Sequence, residues 1–334
     1  MSSASDRPPG STTRRALLAA LGASVVATAG LNLAKRTGQF EPRARVATFA
    51  AASYDIDLVD LLVRGIKEFP NVVARANGGR VVLKPNLVEW HADRPVNTDP
   101  RLIRATVDAF YKLGAKSVVV AEGPGHVRDT ELLVDSSGLG SALRDVKTPF
   151  VDINVDPGRD TSLSWNFTRM DTLPIATVIM DADLVVSMPK LKTHHWAGLT
   201  LSMKNLFGTV PGNRVGWPKN VLHWGGIPRS VVDLWLAINP GFAIVDGIVA
   251  MEGDGPINGT PVAYGAILMG DQCSAVDATA ARLVGVEPTA IEYLNLAAQV
   301  GGTVNEGRIE RFGDLLARRD LELLPKFADL RMPT

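Results

Sequence analysis

The chain has 334 residues, 46% of them hydrophobic, which is enough to bury a sizeable core in one large domain or two ordinary ones. Its 35 basic residues balance its 35 acidic residues, so no long-range field points to nucleic acid as a partner. Cys273 is the single cysteine, which excludes an internal disulfide and an iron–sulfur cluster held by the chain's own thiolates.

Residues 1–29 predict an export signal of the twin-arginine type. The pair Arg14-Arg15 precedes an uncharged, alanine-rich stretch, and Ala27-Thr28-Ala29 has the small-x-small pattern of a cleavage site. An ordinary Sec signal or an uncleaved anchor is the alternative. We therefore expect an exported, periplasmic protein that uses the twin-arginine machinery, or a membrane-anchored one if the signal is not cleaved.

After a linker at 30–43, residues 44–334 predict a single α/β domain, because short β-branched runs alternate with stretches of helical spacing. In chain order we expect strands at 80–83, 116–121, 183–187, 242–245 and 263–269. Helices are expected at 55–76, 100–113, 173–181, 230–238, 274–284, 288–300 and 306–316. This order predicts a mostly parallel sheet with helices on both faces. Residues 198–226 lack clear periodicity and predict an irregular lid or smaller subdomain.

Polar and flexible residues follow four of the predicted strands. These segments are Lys84-Pro85-Asn86, Glu122 to His126, Met188 to His195, and Asp246-Gly247. Ligands of open α/β sheets bind outside the carboxyl ends of the strands. The sequence therefore predicts a binding site at this edge of the sheet.

The third of these segments concentrates cations and imidazoles among apolar residues. Lys190 and Lys192 share one side of an extended segment, as expected for cations that converge on an anion; a solvated strand edge is the alternative. His194 and His195 cannot both face one ligand from a regular strand, so one is expected to be a general acid/base or metal ligand. A packed structural histidine is the alternative. Lys204 is closely flanked by apolar residues and is expected to be buried beside a partner.

Carboxylates are concentrated after the fourth strand. Asp246, Glu252 and Asp254 lie on a glycine-bearing segment and offer the oxygen ligands that hard divalent cations prefer. Their spacing matches no specific metal motif, and a turn with capping aspartates is the alternative. Asp277 falls in a helix of small and apolar residues, where we expect a lysine partner.

Several common signatures are missing from the sequence. It has no GxGxxG after a strand, no GxxxxGK[ST], no GxSxG and no HExxH. The usual nucleotide-binding, serine-hydrolase and zinc-protease interpretations therefore have little support.

Ordered segments across residues 80–290 resemble the family named domain of unknown function 362. They are Val82-Leu83-Lys84-Pro85-Asn86, Val96 to Pro100, Pro189 to His194, Leu201 to Gly208, Val245 to Gly253, and Ala275 to Leu283. The resemblance implies no established activity. Many members resemble ferredoxin fusions with cysteine motifs, from which this chain departs, so it is expected to carry no iron–sulfur cluster. Twin-arginine-type leaders on family members agree with the leader at 1–29.

The leading hypothesis is an exported enzyme that binds a small molecule bearing a phosphate or carboxylate. The expected catalytic residues are His194, His195 and Lys190. The expected substrate-binding residues are Lys84, Asn86, Lys192, Lys204 and Asn205. A divalent metal would bind Asp246, Glu252 and Asp254. Lysines gathered in one desolvated site repel each other, so one is expected to have a lowered pKa and act as a base.

Two alternatives belong to other classes of protein. The first is a non-catalytic binding or delivery protein for an anion or a metallo-cofactor. The second is an accessory subunit of a redox partner, with Trp196, Trp217 and Trp224 at the protein interface.

Overall fold

The computed structural model describes residues 43–125, 129–217 and 219–333. The predicted export signal and most of the linker lie outside these ranges. The strands are β1 Ala44–Ala50, β2 Arg80–Pro85, β3 Ser117–Glu122, β4 Phe150–Asp152, β5 Arg159–Ser162, β6 Thr172–Ile175, β7 Leu184–Met188, β8 Lys190–His194, β9 Gly198–Thr200, β10 Phe242–Glu252, β11 Thr260–Gly270 and β12 Ile309–Gly313. The α-helices are α1 Leu58–Lys67, α2 Pro70–Ala76, α3 Pro100–Lys112, α4 Thr130–Ser136, α5 Leu139–Asp145, α6 Thr177–Met180, α7 Gly212–Val215, α8 Asn220–Trp224, α9 Ile227–Ile238, α10 Cys273–Leu283 and α11 Glu292–Gln299. Short 3₁₀ helices lie at Ile153–Val155, Lys204–Thr209, Pro288–Ala290, Glu306–Arg308 and Pro325–Leu330.

Ten of the strands form one mixed sheet in the order β12-β1-β11-β10-β7-β2-β3-β4, with β8 paired to β10 and β9. Neighbours from β10 through β7, β2 and β3 to β4 are parallel, whereas β11 is antiparallel to both β10 and β1. Strands β5 and β6 form a separate antiparallel pair. The predicted α/β class with a mostly parallel sheet is confirmed.

Side chains of the central strands alternate between two hydrophobic clusters. Phe242 and Ile244 of β10 pack in the cluster that contains residues of α1 to α5, whereas Ala243 and Val245 pack in the cluster that contains residues of α9 to α11. Successive side chains of a strand point to opposite faces, so helices cover both faces of the sheet. No helix within the described residues is long and apolar enough to cross a membrane.

Three predicted helices differ from the structure. The expected helix at 55–76 is divided into α1 and α2, because Pro70 lacks a backbone N–H and starts a new helix after the N-cap residue Phe69. The region 173–181 contains the end of β6 followed by α6. The helix at 306–316 was wrong, since β12 occupies this region and pairs in parallel with β1. The edge of β1 offers unpaired backbone groups with which residues 309–313 form hydrogen bonds, and the local periodicity of the sequence does not reveal these distant partners.

The irregular region 198–226 is built from β9, a 3₁₀ helix, α7 and α8. Its buried side chains Leu201, Met203, Leu206 and Leu222 belong to the same hydrophobic cluster as residues of α9 and α10. The region is irregular as predicted, but it packs into the core of the sheet instead of forming a separate subdomain.

Candidate functional site

A cavity of about 290 Å³ lies at the carboxyl ends of β2, β3 and β8. Lys84 enters it from β2, Glu122 from β3, and Lys192 and His194 from β8. From β2 the sheet continues through β3 to β4 on one side and to β7 on the other. The cavity therefore lies where the strand order reverses, which is the expected place for a ligand in an open α/β sheet.

The irregular region supplies the opposite wall of this cavity. Lys204 and Phe207 come from the 3₁₀ helix, and Lys219 and His223 come from the start and the body of α8. We call the space lined by Lys84, Lys192, Lys204 and Lys219 the lysine cavity. Lys219 has a left-handed backbone with φ of 66°, a conformation that is strained for a side chain of this type.

The ammonium of Lys84 donates all of its hydrogen bonds to protein acceptors. Its ammonium donates to Glu122 in a short contact, to the carbonyl of Pro85 at 2.8 Å and to Oδ1 of Asn205 at 3.1 Å. These three acceptors use all three of its protons. The amide nitrogen of Asn205 donates to the carbonyl of Lys84 at 2.9 Å and to Ser187 at 3.1 Å. Lys84 and Asn205, both predicted to bind substrate, therefore line the cavity but are used to fix its floor.

A glycine allows the backbone to approach this ion pair. A Cβ atom at Gly208 would lie 1.7 Å from Oε1 of Glu122 and 2.7 Å from Nζ of Lys84. Any side chain at this position would displace the pair, which gives a physical reason for the glycine that ends the segment Leu201 to Gly208.

The other three lysines of the cavity keep protons free. Nζ of Lys192 donates to the carbonyl of Val96 at 2.6 Å. Lys219 donates to Asn154 at 3.1 Å and to the carbonyl of Val210 in a short contact. Nζ of Lys204 has no hydrogen-bond acceptor among the described residues and lies 3.8 Å from the ring centroid of Phe207. An ammonium has three donors, so Lys204 offers the most hydrogen bonds to a ligand, followed by Lys192.

Burial makes these amines unusually acidic. It lowers the pKa of Lys204 to about 8, with further repulsion from Lys84, and the pKa of Lys219 to about 7. Burial also lowers the pKa of Lys192 well below its usual value, and the charges of Lys190 and Lys204 lower it further. Glu122 is the one carboxylate among the described residues that line the cavity, and Lys84 already pairs with it. The lysine cavity is therefore either electropositive or partly deprotonated, and a bound anion would compensate it.

His194 has a defined protonation state in this structure. Its Nδ1 accepts the backbone N–H groups of Trp196 at 3.1 Å and Ala197 at 3.3 Å, so the proton of the neutral ring lies on Nε2. Burial lowers the pKa of His194 well below its usual value, and Lys204 lowers it further. The ring therefore offers an N–H donor at Nε2, not the free lone pair that a metal ligand needs there. His195 lies at the rim, with its ring 4.5 Å from that of Trp196.

Lys190 lies outside the cavity, in contrast to its predicted catalytic role. Its Nζ donates to Asp246 at 2.7 Å and to the hydroxyl of Tyr54 at 2.8 Å. Tyr54 also donates to Asp246 at 2.7 Å, and the second carboxylate oxygen of Asp246 accepts the backbone N–H of Asp99 at 2.9 Å. Tyr54, Lys190 and Asp246 are buried, and Lys190 is not among the described residues that line the cavity, so its ammonium is used within this network.

The three carboxylates predicted to bind a metal do not form a site. Asp246 is used by Lys190, Glu252 accepts the backbone N–H of Glu322 at 2.8 Å, and Asp254 is exposed. The described ranges contain no group of three or more His, Cys, Asp or Glu that could hold a metal ion. Asp246 and Glu252 lie on the long strand β10, and Asp254 lies in the turn that follows it, so the three side chains are separated.

Thr200 and Lys219 line the cavity but were not predicted, and Asp277 has different partners from those expected. The side-chain oxygens of Asn86 and Thr200 are buried without a hydrogen-bond partner among the described residues, and both residues line the cavity. No periodic signal marked Thr200 or Lys219. Asp277 was expected to pair with a lysine, but it accepts the backbone N–H groups of Ser202 at 2.8 Å and Met203 at 3.0 Å. These bonds satisfy a buried carboxylate without a cation.

The sequence of this chain is similar to a known protein family and to a named protein. A family model described as Domain of unknown function (DUF362) matches residues 81–282, more than half of the chain. A thylakoid-associated protein of Synechocystis sp. is 29% identical over 232 residues, which cover 67% of this chain and 68% of that protein.

Two solved structures are more distantly similar. The lactate racemase apoprotein of Thermoanaerobacterium thermosaccharolyticum has a TM-score of 0.47 and 16% identity over 74% of this chain and 58% of its own. A protein of Thermotoga maritima has a TM-score of 0.36 and 12% identity over 72% of this chain and 59% of its own. This chain therefore spans less than two thirds of either solved chain. The segment that the family model matches carries all four lysines of the cavity, and the chain belongs to the family of the domain of unknown function 362.

Proposed function

We propose that the protein binds a small molecule bearing a phosphate or carboxylate in the lysine cavity and acts on it as an enzyme. The observation that carries this proposal is the imbalance of charge. Lys192, Lys204 and Lys219 line one cavity, and the single carboxylate among its described lining residues is paired with Lys84. A buried cation without a partner costs several kcal/mol, and an anionic ligand removes that cost.

The side chains divide into three roles in this proposal. Lys204, with no acceptor among the described residues, and Lys219 bind the anion. His194 donates its Nε2 proton to a ligand oxygen, and Asn86 offers a buried acceptor to a ligand hydroxyl or amine. Lys192, whose pKa burial lowers well below its usual value, acts as the base. A non-catalytic binding protein would need only the first two roles.

Calorimetric titration with inorganic phosphate and with acetate tests anion binding. We expect Lys204→Met to weaken the binding of the better ligand about 10- to 100-fold, because charge-assisted hydrogen bonds contribute about 1.5–3 kcal/mol. Lys112→Met, which changes an exposed lysine at the end of α3, is the matched control and should bind like the wild type. Equal affinity of the Lys204→Met variant and the wild type would contradict the proposal.

We also propose that the protein is exported through the twin-arginine route, on the pattern of Arg14-Arg15 and the weakly apolar stretch that follows. The chain without its leader carries the whole lysine cavity, so export and binding can be tested separately. Replacing both arginines with lysine should leave the protein in the cytoplasmic fraction of its host. Unchanged export of that variant would indicate an ordinary Sec signal.

A further inference from the structure

We propose that Lys192 is a nucleophile that forms an imine with the carbonyl carbon of a small 2-oxo acid bound in the lysine cavity. The inference rests on the proposed function, because the cavity must first bind the carboxylate of the acid. It adds a substrate class and a covalent step to that function.

The hydrogen bonds of Lys192 leave room for a lone pair. Its side chain is fully buried, and its one acceptor among the described residues is the carbonyl of Val96, 2.6 Å from Nζ. A neutral amine has two protons and one lone pair, so one N–H and the lone pair have no protein partner there. Lys84 differs because its three acceptors require an ammonium, which cannot attack a carbonyl.

The neighbours of Lys192 favour its neutral form. Lys190 lies on the same face of β8 and forms a buried salt bridge with Asp246. Lys204 places its Nζ over the face of the Phe207 ring, an arrangement that favours the charged form of that amine. A lysine that is desolvated and next to other cations is the usual form of a lysine nucleophile for carbonyl compounds.

The same neighbours specify the acid. Lys204 and Lys192 line the same cavity of about 290 Å³, so an anionic group bound to Lys204 and a carbonyl carbon facing Lys192 must belong to one small molecule and lie near each other. A carboxylate directly bonded to a carbonyl carbon satisfies this condition. The Nε2 proton of His194 is available to the carbonyl oxygen, and it would polarise that bond without leaving the ring. The volume of about 290 Å³ suits a small acid.

The atoms and charges of the step balance. The lone pair of Lys192 forms the N–C bond while the π bond of the carbonyl breaks, and one amine proton moves to the oxygen to give a carbinolamine. The C–O bond then breaks, and the oxygen leaves as water with a second proton from the ammonium of Lys204. The product is a protonated imine that keeps the other amine proton and needs no oxidant or reductant.

Borohydride trapping tests the inference. The full-length mature protein is incubated with glyoxylate or pyruvate, treated with sodium borohydride and analysed by intact mass and peptide mapping. We expect one reduced adduct per chain on the peptide that contains Lys192, and none with acetate, which has no ketone or aldehyde carbon. Lys192→Arg keeps a cation but cannot form an imine, so it should show no adduct. Lys112→Met removes an exposed lysine and should be labelled like the wild type.

Calorimetry with acetate and phosphate on the same samples separates the two proposals. Anion binding without an adduct on Lys192 from either oxo acid would overturn the imine and leave the proposed function intact. Adducts spread over exposed lysines, or unchanged labelling of Lys192→Arg, would also overturn it. If neither anion binds and no adduct forms, both proposals are wrong. Thermal unfolding of Lys192→Arg and Lys192→Met shows whether each variant is folded before its result is used.

Discussion

At the scale of single residues, the buried pair of Lys84 and Glu122 shows how one cation is fixed while others stay free. Glu122 accepts a short contact from Lys84 and the backbone N–H of Gly123 at 2.8 Å, and both side chains are almost fully buried. The attraction of Glu122 opposes the lowering of the Lys84 pKa by burial. The pair therefore forms a rigid floor against which the other lysines are placed.

Removing one member of this pair should cost more than removing both charges. We expect Lys84→Met to lower the free energy of unfolding by about 3–5 kcal/mol, because it leaves Glu122 buried without its cation. The double variant Lys84→Met with Glu122→Gln should be clearly more stable than Lys84→Met alone, since glutamine still accepts the N–H of Gly123. Urea unfolding of the wild type and the two variants measures these differences. If the double variant is the least stable, the charge of Glu122 is not what makes the single substitution costly.

At the scale of elements, helix α10 holds the segment that carries Lys204. Asp277 in the middle of this helix accepts the backbone N–H groups of Ser202 and Met203 as well as the hydroxyl of Ser202. Burial raises the pKa of Asp277 to about 7, and these three bonds oppose that rise. The carboxylate therefore connects α10 to the wall of the cavity one residue before Lys204.

Substitution of Asp277 should affect stability and binding together. Asp277→Ala leaves two buried backbone N–H groups without acceptors, and we expect a loss of about 2–5 kcal/mol in the free energy of unfolding. Phosphate affinity should also fall, because Lys204 is no longer held in place. Thr279→Ala is a control in the same helix, since its hydroxyl donates to the carbonyl of Ala275 four residues earlier in the same helix. A destabilised Asp277→Ala protein with unchanged phosphate affinity would show that α10 does not position Lys204.

Local sequence patterns predicted the elements that depend on residues close together in the chain. They missed the elements that depend on pairing between distant segments. The placement of Lys190 and Lys192 on one face of β8 followed from the two-residue repeat of a strand. What the alternation did not show is that Asp246 of the neighbouring β10 pairs with Lys190 and removes it from the site. Strand β12 was predicted as a helix because its partner β1 lies more than two hundred residues earlier in the chain.

The candidate site divides in the same way. Lys84, Asn86 and Lys192 line the cavity, because residues at the carboxyl ends of parallel strands meet at one edge of the sheet. Lys204 and Asn205 also line it, but they reach it from the 3₁₀ helix of the irregular region. Lys219 was missed, since its position depends on a left-handed turn before α8 in a region without periodicity. Which of the lysines has free protons depends on acceptors such as the carbonyl of Val96, and no sequence pattern reports those.

At the scale of the whole molecule, the fold brings four lysines together around one cavity but provides a single carboxylate among the described lining residues. Two hydrophobic clusters cover the faces of the sheet. The lysine cavity lies at the edge of the sheet, and its lining includes Leu87 and Phe207 from these clusters. The ligand-free protein therefore carries acidic amines whose ionisation is linked to folding. This linkage predicts an unusual dependence of stability on pH.

The amines should make the ligand-free protein more stable as the pH rises from about 7 towards 10. Their pKa values in the folded protein are about 7 for Lys219 and about 8 for Lys204, and that of Lys192 is lower than usual as well, whereas an unfolded lysine keeps its proton to about pH 10.4. Across this window the unfolded chain binds more protons than the folded one, so raising the pH favours the folded state. Each such lysine contributes up to about 1.4 kcal/mol per pH unit.

A bound anion should weaken this dependence, because it stabilises the protonated amines. Sulfate keeps its charge across this range, so its stabilising effect should be largest near pH 7 and should decline as Lys219 and Lys204 lose their protons. Urea unfolding with and without sulfate at several pH values measures both slopes. Sulfate also stabilises proteins by exclusion from their surfaces, and the Lys192→Met/Lys204→Met/Lys219→Met triple variant corrects for this, since it should keep only that pH-independent part. A triple variant with the full pH dependence of the wild type would mean that the linked protons belong to groups outside the lysine cavity.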